Sequence, residues 1–252
     1  MKILFFSDIH VDASTAGVER IDELATYVDV VVDAVKREGV DIVCFLGDAF
    51  DPGSLVEARW SSFMVRAARR MSAAARLGAI FIPGNHDVLD VSEPLSTLSP
   101  LAAAFEGDGR IVVPELPEFV TMGFAREESV GVLALPYVSR AVERTAEYRR
   151  TFDAAIANAR AAKREGRAVV AIGHYTIPGI EPGSEGEMVR GRDLMFPAHA
   201  LRGLADLVVN GHYHARQTVT TDGVRVEIVG APVRFTFGER GDGPRGFLLA
   251  EV

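Results

Sequence analysis

The stretch DIVCFLGDAFDPGS, residues 41–54, decides the fold. Its apolar run, IVCFL at 42–46, is too short for a helix of ordinary length and reads as a strand buried on both faces. The run passes straight into Gly47 and Asp48 and then into a turn-rich segment. The same arrangement recurs on either side. KILFFS at 2–7 leads into DIH at 8–10, and AIFI at 79–82 leads into PGNHD at 83–87. Between these strands lie two helical stretches. The first, from about 18 to 38, repeats Ile21, Leu24, Val28, Val31, Val32 and Val35 at three- and four-residue spacing and stops at Gly39. The second, from about 55 to 77, carries Trp60, Phe63, Met64, Ala67, Ala68 and Met71 on one side and ends at Gly78. Apolar strands separated by helices imply a partly parallel sheet covered on both faces. In such sheets the chemistry sits in loops at the carboxyl ends of the strands.

Farther along, 98–105 reads as a short helix, 110–113 and 119–122 as weak strands, and VGVLAL at 130–135 as a buried strand. Residues 141–165 read as one long helix stopped by Gly166, followed by the strand AVVAI at 168–172, a helical turn near 199–202 and the strand ADLVV at 205–209. From Gln217 the texture becomes β-rich, with QTVTT, VRVEIV, VRFTFG and GFLLAEV divided by glycine turns. No linker or repeat divides the sequence. The expectation is an α/β protein, a single domain over 1–252, built as a four-layer αββα sandwich with mixed sheets.

The 27 basic and 35 acidic residues give a net charge of -8, which argues against a broad basic face that binds nucleic acid by charge alone. Bound divalent cations would locally reverse that sign. Cys44 is the single cysteine, so an internal disulfide and a Cys-x-x-Cys site are both excluded. It reads as a small core residue. With Asp8 and His10 interrupting the first apolar run and no stretch of 18 apolar residues, neither secretion nor membrane spanning is expected, and the expected location is the cytoplasm.

Five of the six histidines fall at strand ends, in SDIH (Asp8, His10), GNHD (Asn85, His86, Asp87), GHY (His174) and GHYH (His212, His214), with Asp48 in LGD between them. Any one of these alone is an ordinary cap or turn. All five as decoration would leave ionisable groups crowded at a sheet edge without partners, which is costly. Carboxylate, amide and imidazole are ligands that first-row divalent metals accept. Asp8 and His10 can bite one ion, His212 and His214 can serve one ion or two, and Asp48 can bridge, which suits two ions roughly 3.5–4 Å apart. His199 lacks such a context and reads as a surface or packing residue.

D-x-H at 8–10, GD at 47–48, GNHD at 84–87, GH at 173–174 and GHYH at 211–214 resemble, in order, the five motifs of the calcineurin-like metallophosphoesterases. GDAFDPGS at 47–54, GRDLMFPAHAL at 191–201, VEIVGAPVRFTFGE at 226–239 and the closing GFLLAEV are similar to the catalytic core of Mre11/SbcD-type nucleases. Asp51 stands where archaeal and eukaryotic members of that group carry histidine. The sequence ends at Val252, where those nucleases usually continue into DNA-capping and ATPase-binding regions.

The resemblance implies one ion on Asp8, His10 and His214, another on Asn85, His174 and His212, and Asp48 between them. His86 would lie beside the phosphate and stabilise charge or help the leaving oxygen depart, with Asp87 orienting it. Arg190 and Arg192 are candidate substrate contacts. The implied activity is hydrolysis of phosphodiesters by hydroxide held between the ions, as in a DNA exo- or endonuclease acting on single strands or DNA ends. The alternatives are a small-molecule phosphodiesterase or phosphatase, for example on cyclic nucleotides, and a non-catalytic protein-binding scaffold. Mn²⁺ is expected to support the highest activity in vitro, with Fe²⁺, Zn²⁺ and Mg²⁺ left open. The loop 177–193, which carries Glu181, Glu185 and Glu187, is expected to border the site. Weak homodimerisation, no tight ATPase partner and no membrane association complete the expectation.

Overall fold

The computed structural model describes residues 1–51, 56–90, 92–125, 128–178, 180, 194–241 and 243–252. Strand β1 (Lys2–Phe6) is followed by a small hairpin, β2 (Ser14–Thr15) and β3 (Val18–Glu19), and then by α1 (Ile21–Glu38). Gly39 closes α1 in the left-handed conformation, φ 64°, with its N–H returned to the carbonyls of Val35 and Lys36. Next come β4 (Ile42–Phe45), α2 (Ala58–Ala74), β5 (Gly78–Phe81), α3 (Ser99–Ala104) and β6 (Ile111–Val112). The second half holds β7 (Glu118–Ala125), β8 (Glu128–Leu135), α4 (Arg140–Glu143), α5 (Ala146–Arg164), β9 (Ala168–Gly173), α6 (Ala198–Leu201) and β10 (Leu207–Asn210). It finishes with β11 (Gln217–Thr221), β12 (Val224–Ile228) and β13 (Leu248–Glu251).

These strands form two principal sheets, ordered β13-β1-β4-β5-β6 and β11-β12-β10-β9-β8-β7. Pairing is parallel from β1 through β6 and from β8 through β12, with antiparallel strands β13, β7 and β11 at the edges. The sheets face each other across Ile3, Phe5, Ile42, Cys44, Leu46 and Ile80 from one and Val130, Val132, Val170, Ile172 and Val209 from the other. Helices α1 and α2 bury their apolar sides on the outer face of the first sheet, and α5 does so on the second. This is the expected four-layer α/β sandwich with mixed sheets. Crossovers return the chain between parallel neighbours, so the carboxyl ends of β1, β4 and β5 lie along one edge, and the loops that follow them meet the loops after β9 and β10.

The first helix begins at Ile21 and not near 18, where the hairpin strand β3 stands, and three further details differ from the sequence expectation. The long helix over 141–165 is two, because the Thr145 side chain accepts the backbone N–H of Tyr148 and so caps α5 at its start, while Ser139 caps α4 in the same way. Gly78 opens β5 and does not stop α2. Its φ is 134°, and a Cβ there would stand 2.1 Å from the Arg110 carbonyl oxygen, so the strand can pass that carbonyl only as glycine. VRFTFG at 233–238 is not a strand. The chain there curls into a 3₁₀ turn, Phe237–Gly241, with the Phe235 N–H bonded to the Glu239 carboxylate at 3.1 Å. No helix among the described residues is long and apolar enough to cross a membrane.

Candidate metal centre

The loops after β1, β4, β5, β9 and β10 supply every strand-end residue singled out from the sequence. Backbone bonds stitch the first two loops together: Asp8 N–H donates to the Gly47 carbonyl at 2.9 Å, and His10 N–H to that of Asp48 at 3.1 Å. The non-glycine residues Asp8 (φ 54°), His10 (φ 37°), Asp48 (φ 58°) and His212 (φ 77°) all occupy the left-handed region. Each such residue costs about 1–3 kcal/mol, and strain of this kind persists where surrounding structure imposes it. Here it turns successive side chains from these loops onto one volume. Gly84 lets the β5 loop come close, since a Cβ on it would lie 2.2 Å from Asp48 Oδ1.

Donor atoms of Asp8, His10 and His214 lie within 4.8 Å of one another, and so do those of Asp48, His174 and His212. His10 Nε2 stands 3.3 Å from His214 Nε2. Asn85 Oδ1 lies 2.8 Å from His212 Nδ1 and 2.9 Å from His174 Nε2, which joins it to the second set. Asp48 sits between the sets, its Oδ2 being 3.2 Å from His174 Nε2 and 4.0 Å from His10 Nε2. A third grouping brings His86 within 4.8 Å of Asp48 and His10.

The electrostatics follow from this crowding. Burial alone would lower the pKa of His10, but a bond to Asp51 and the charges of Asp48, Asp8 and Asp51 outweigh it and raise it to about 9. Burial is likewise overcome at His174, where Asp48 and Asp8 raise the pKa to about 9. At His212, burial and the neighbouring His174 win and push it down to about 3. Burial would raise the Asp48 pKa, yet His174, His86 and His10 together hold it well below the ordinary carboxylate value. Both oxygens of Asp8 are buried and have no hydrogen-bond partner. A carboxylate so placed calls for a cation. With imidazoles and a shared carboxylate around it, the donor chemistry fits two divalent ions.

His86 is partly exposed at this cluster. Its backbone N–H donates to Asp48 Oδ1 at 2.9 Å, and its Nδ1 faces Asp51 Oδ1 at 3.6 Å. The expectation that Asp87 orients the His86 ring is corrected. The Asp87 carboxylate accepts from Ala49 N at 3.0 Å, Gly84 N at 2.8 Å and Thr97 Oγ1 at 2.6 Å. It therefore pins the β5 loop to the β4 loop, and Asp51 is the carboxylate beside the ring. Burial, with the charge of Asp48, raises the Asp87 pKa. Cys44 is a core residue between the sheets, its thiol pushed up by burial, and His199 is exposed on α6. Arg190, Arg192, Glu181, Glu185 and Glu187 lie outside the described residues.

Five further groups surround the ligand candidates without having been singled out for it. Glu239 lies 3.4 Å from His214 Nδ1, Arg245 bonds to Glu239 at 2.9 Å, Thr176 Oγ1 lies 3.1 Å from His212 Nε2, and Asp51 lies 3.4 Å from His10 Nδ1. The Leu46 carbonyl oxygen is 2.6 Å from His174 Nδ1. Thr176 stands next to a recognised motif, and that proximity is a usable signal. Glu239 and Arg245 stand 25 and 31 residues beyond His214, a separation that carries no local signal.

A curated relative, the SbcD component of the SbcCD nuclease of Bacillus subtilis (strain 168), is 28% identical over 257 residues, covering 96% of this chain and 64% of its own length. The chain thus spans just under two thirds of that relative. Among solved structures, a dimetal phosphatase from Danio rerio matches with a TM-score of 0.56 at 12% identity, covering 99% of this chain and 91% of the other. Phosphopantetheinyl hydrolase from Mycobacterium tuberculosis matches with a TM-score of 0.50 at 15% identity, covering 92% and 90%. These likenesses concern the fold. The family described as calcineurin-like phosphoesterase matches residues 1–216, a span that holds the strand ends and every ligand candidate, and the chain belongs to that family.

Proposed function

We propose that the protein is a phosphodiesterase acting on nucleic acid, with two divalent ions and Mn²⁺ as the most effective in vitro. The observation that carries the reading is the joining of two donor sets through one buried carboxylate, Asp48, beside the orphaned carboxylate of Asp8. The nuclease identity of a relative aligned over 96% of the chain supports the substrate class.

Asp8, His10 and His214 would hold one ion, Asn85, His174 and His212 the other, with Asp48 shared. When bound, such a pair withdraws charge from the nonbridging phosphate oxygens and activates water near neutral pH. The chain's own contribution to departure of the leaving group is His86. Its Nδ1 faces Asp51, which leaves Nε2 for the leaving oxygen. Asp87 keeps the loop that carries His86 against the Asp48 loop.

Purified protein with added Mn²⁺ is expected to hydrolyse bis(p-nitrophenyl) phosphate and single-stranded DNA. Equal activity in Asp48→Asn at matched metal content would overturn the assignment. The net charge of -8 favours a second reading, a phosphodiesterase for small nucleotides. Comparison of kcat/KM for a DNA oligomer and a 3′,5′-cyclic nucleotide separates them, since a preference of more than about tenfold for the oligomer excludes the small-substrate version.

A further inference from the structure

His214 is held by groups that the GHYH motif does not contain. The 3₁₀ turn Phe237–Gly241 buries Glu239 to 0% exposure. The two oxygens of this carboxylate have separate tasks. Oε1 lies 3.4 Å from His214 Nδ1 and 3.4 Å from Thr236 Oγ1. Oε2 accepts from Phe235 N at 3.1 Å and from Arg245 Nη2 at 2.9 Å. Arg245 also donates through Nη1 to the His214 backbone carbonyl at 2.7 Å. One carboxylate–guanidinium pair therefore grips both the ring and the backbone of His214. The Phe235 ring stands against the rings of His10 and His214, with centroids 5.2 and 5.6 Å away.

A neutral imidazole donates from one nitrogen and accepts at the other, whereas an ionised carboxylate can only accept. The nitrogen facing Glu239 must then be the one that carries the proton. We propose that Glu239 is a positioning residue for the metal centre: it accepts the Nδ1 proton of His214 and so leaves the Nε2 lone pair directed at the volume shared with His10 and Asp8. The inference rests on the divalent-ion reading of the centre. Arg245 offsets the burial of the Glu239 charge and sets which oxygen remains for the ring.

Glu239→Gln tests the proposal because an amide cannot serve both sides. If its oxygen keeps the two donors Arg245 and Phe235 N, its NH₂ faces His214 Nδ1. The ring must then accept there and carry its proton on Nε2, the atom needed for an ion. Calorimetric titration with Mn²⁺ should show two ions bound by the wild type, and in the variant one of them weakened about 10- to 100-fold with the other retained. Nitrogen-15 NMR of the metal-free wild type, at a pH where the His214 ring is neutral, should place its proton on Nδ1 before any ion can dictate the tautomer, a signature that a merely structural role for Glu239 would not require. Unchanged affinity for both ions in a folded variant overturns the proposal, and so does a wild-type proton on Nε2. If Glu239→Gln does not fold, the wild-type tautomer alone decides. A wild type that takes up neither Mn²⁺ nor Zn²⁺ overturns this inference together with the divalent-ion reading, whereas two ions bound equally by both proteins overturn this inference alone.

Discussion

The two donor sets of the metal centre use similar ligands in unlike surroundings. Around Asp8, His10 and His214 the outer partners are carboxylates, Asp51 behind His10 and Glu239 behind His214. Around Asn85, His174 and His212 they are neutral, the Leu46 carbonyl behind His174 and the Thr176 hydroxyl near His212. The first set also contains a carboxylate of its own, Asp8, while the corresponding member of the second is the amide of Asn85. A carboxylate behind an imidazole raises its basicity and fixes its orientation more firmly than a neutral oxygen does. The difference implies that affinity at such a centre would be set in part by residues outside its motifs, and it predicts that the Asp8 set binds its ion more tightly than the Asn85 set.

The largest expected effect comes from removing what the two sets share. Asp48→Asn should reduce phosphodiester hydrolysis by more than about 10³-fold, since the group lost would serve both ions and also accepts the His86 N–H. Metal content measured with the rate should show both ions weakened. Loss of one ion only would break the sharing of Asp48 between the sets.

His86 lies beside the carboxylate-rich set yet is assigned to the leaving group. His86→Gln should retain both ions while kcat on a DNA dinucleotide falls about 10²- to 10⁴-fold. A p-nitrophenyl ester, whose aryloxide leaves without help, should lose much less. Equal losses at full occupancy would reject leaving-group assistance, and loss of an ion would show that His86 belongs to the ligands.

How much of this centre is legible in the sequence depends on the distance along the chain over which each contact acts. The pattern of strand, glycine and Asp or His is local, so Asp8, His10, Asp48, Asn85, His174, His212 and His214 can all be named from their strand ends, and the layered sandwich follows from the same apolar runs. Glu239 and Asp87 show where such reading stops. The bonds of Asp87 to Ala49 and Thr97 cross between loops and redirect it away from its chain neighbour His86. Glu239 lies in a segment whose alternating VRFTF pattern suggests a strand, but bonds from Phe235 N and Arg245 curl that segment inward. Neither Ser139 nor Thr145 stands out within a helix-like run, although each cap decides where a helix begins.

Protons compete with metal differently in the two sets. In the metal-free protein His10 and His174 have pKa values raised from 6.5 to about 9, whereas His212 is lowered to about 3. Loading both ions at pH 7 should therefore release about two more protons than loading them at pH 10, one from His10 and one from His174. Calorimetry in two buffers of different ionisation enthalpy measures the number. For stability the sign is that of raised histidines: their contribution is complete below 6.5 and lost as the pH rises through about 9. The thermal midpoint of the metal-free protein should accordingly fall across that window, and a rise there would contradict the protonated pairing of His10 and His174 with Asp48.

The smallest expected effect sits behind His212. Thr176 Oγ1 lies 3.1 Å from His212 Nε2, leaving Nδ1 beside Asn85 Oδ1, so the hydroxyl holds the ring by a neutral hydrogen bond. Thr176→Val keeps the β-branched shape and removes only that bond, which is worth roughly 0.5–1.5 kcal/mol. Burial keeps His212 neutral with or without the hydroxyl, so the ligand nitrogen remains available. The affinity of the second ion should then fall by about 2- to 13-fold in a Mn²⁺ titration, with the first ion unchanged. This is the control for Glu239→Gln, because each variant withdraws one outer partner from one histidine and the two differ in whether that partner is charged. A loss as large as the one at His214 would mean that ring orientation alone matters and that the negative charges behind the first set add nothing.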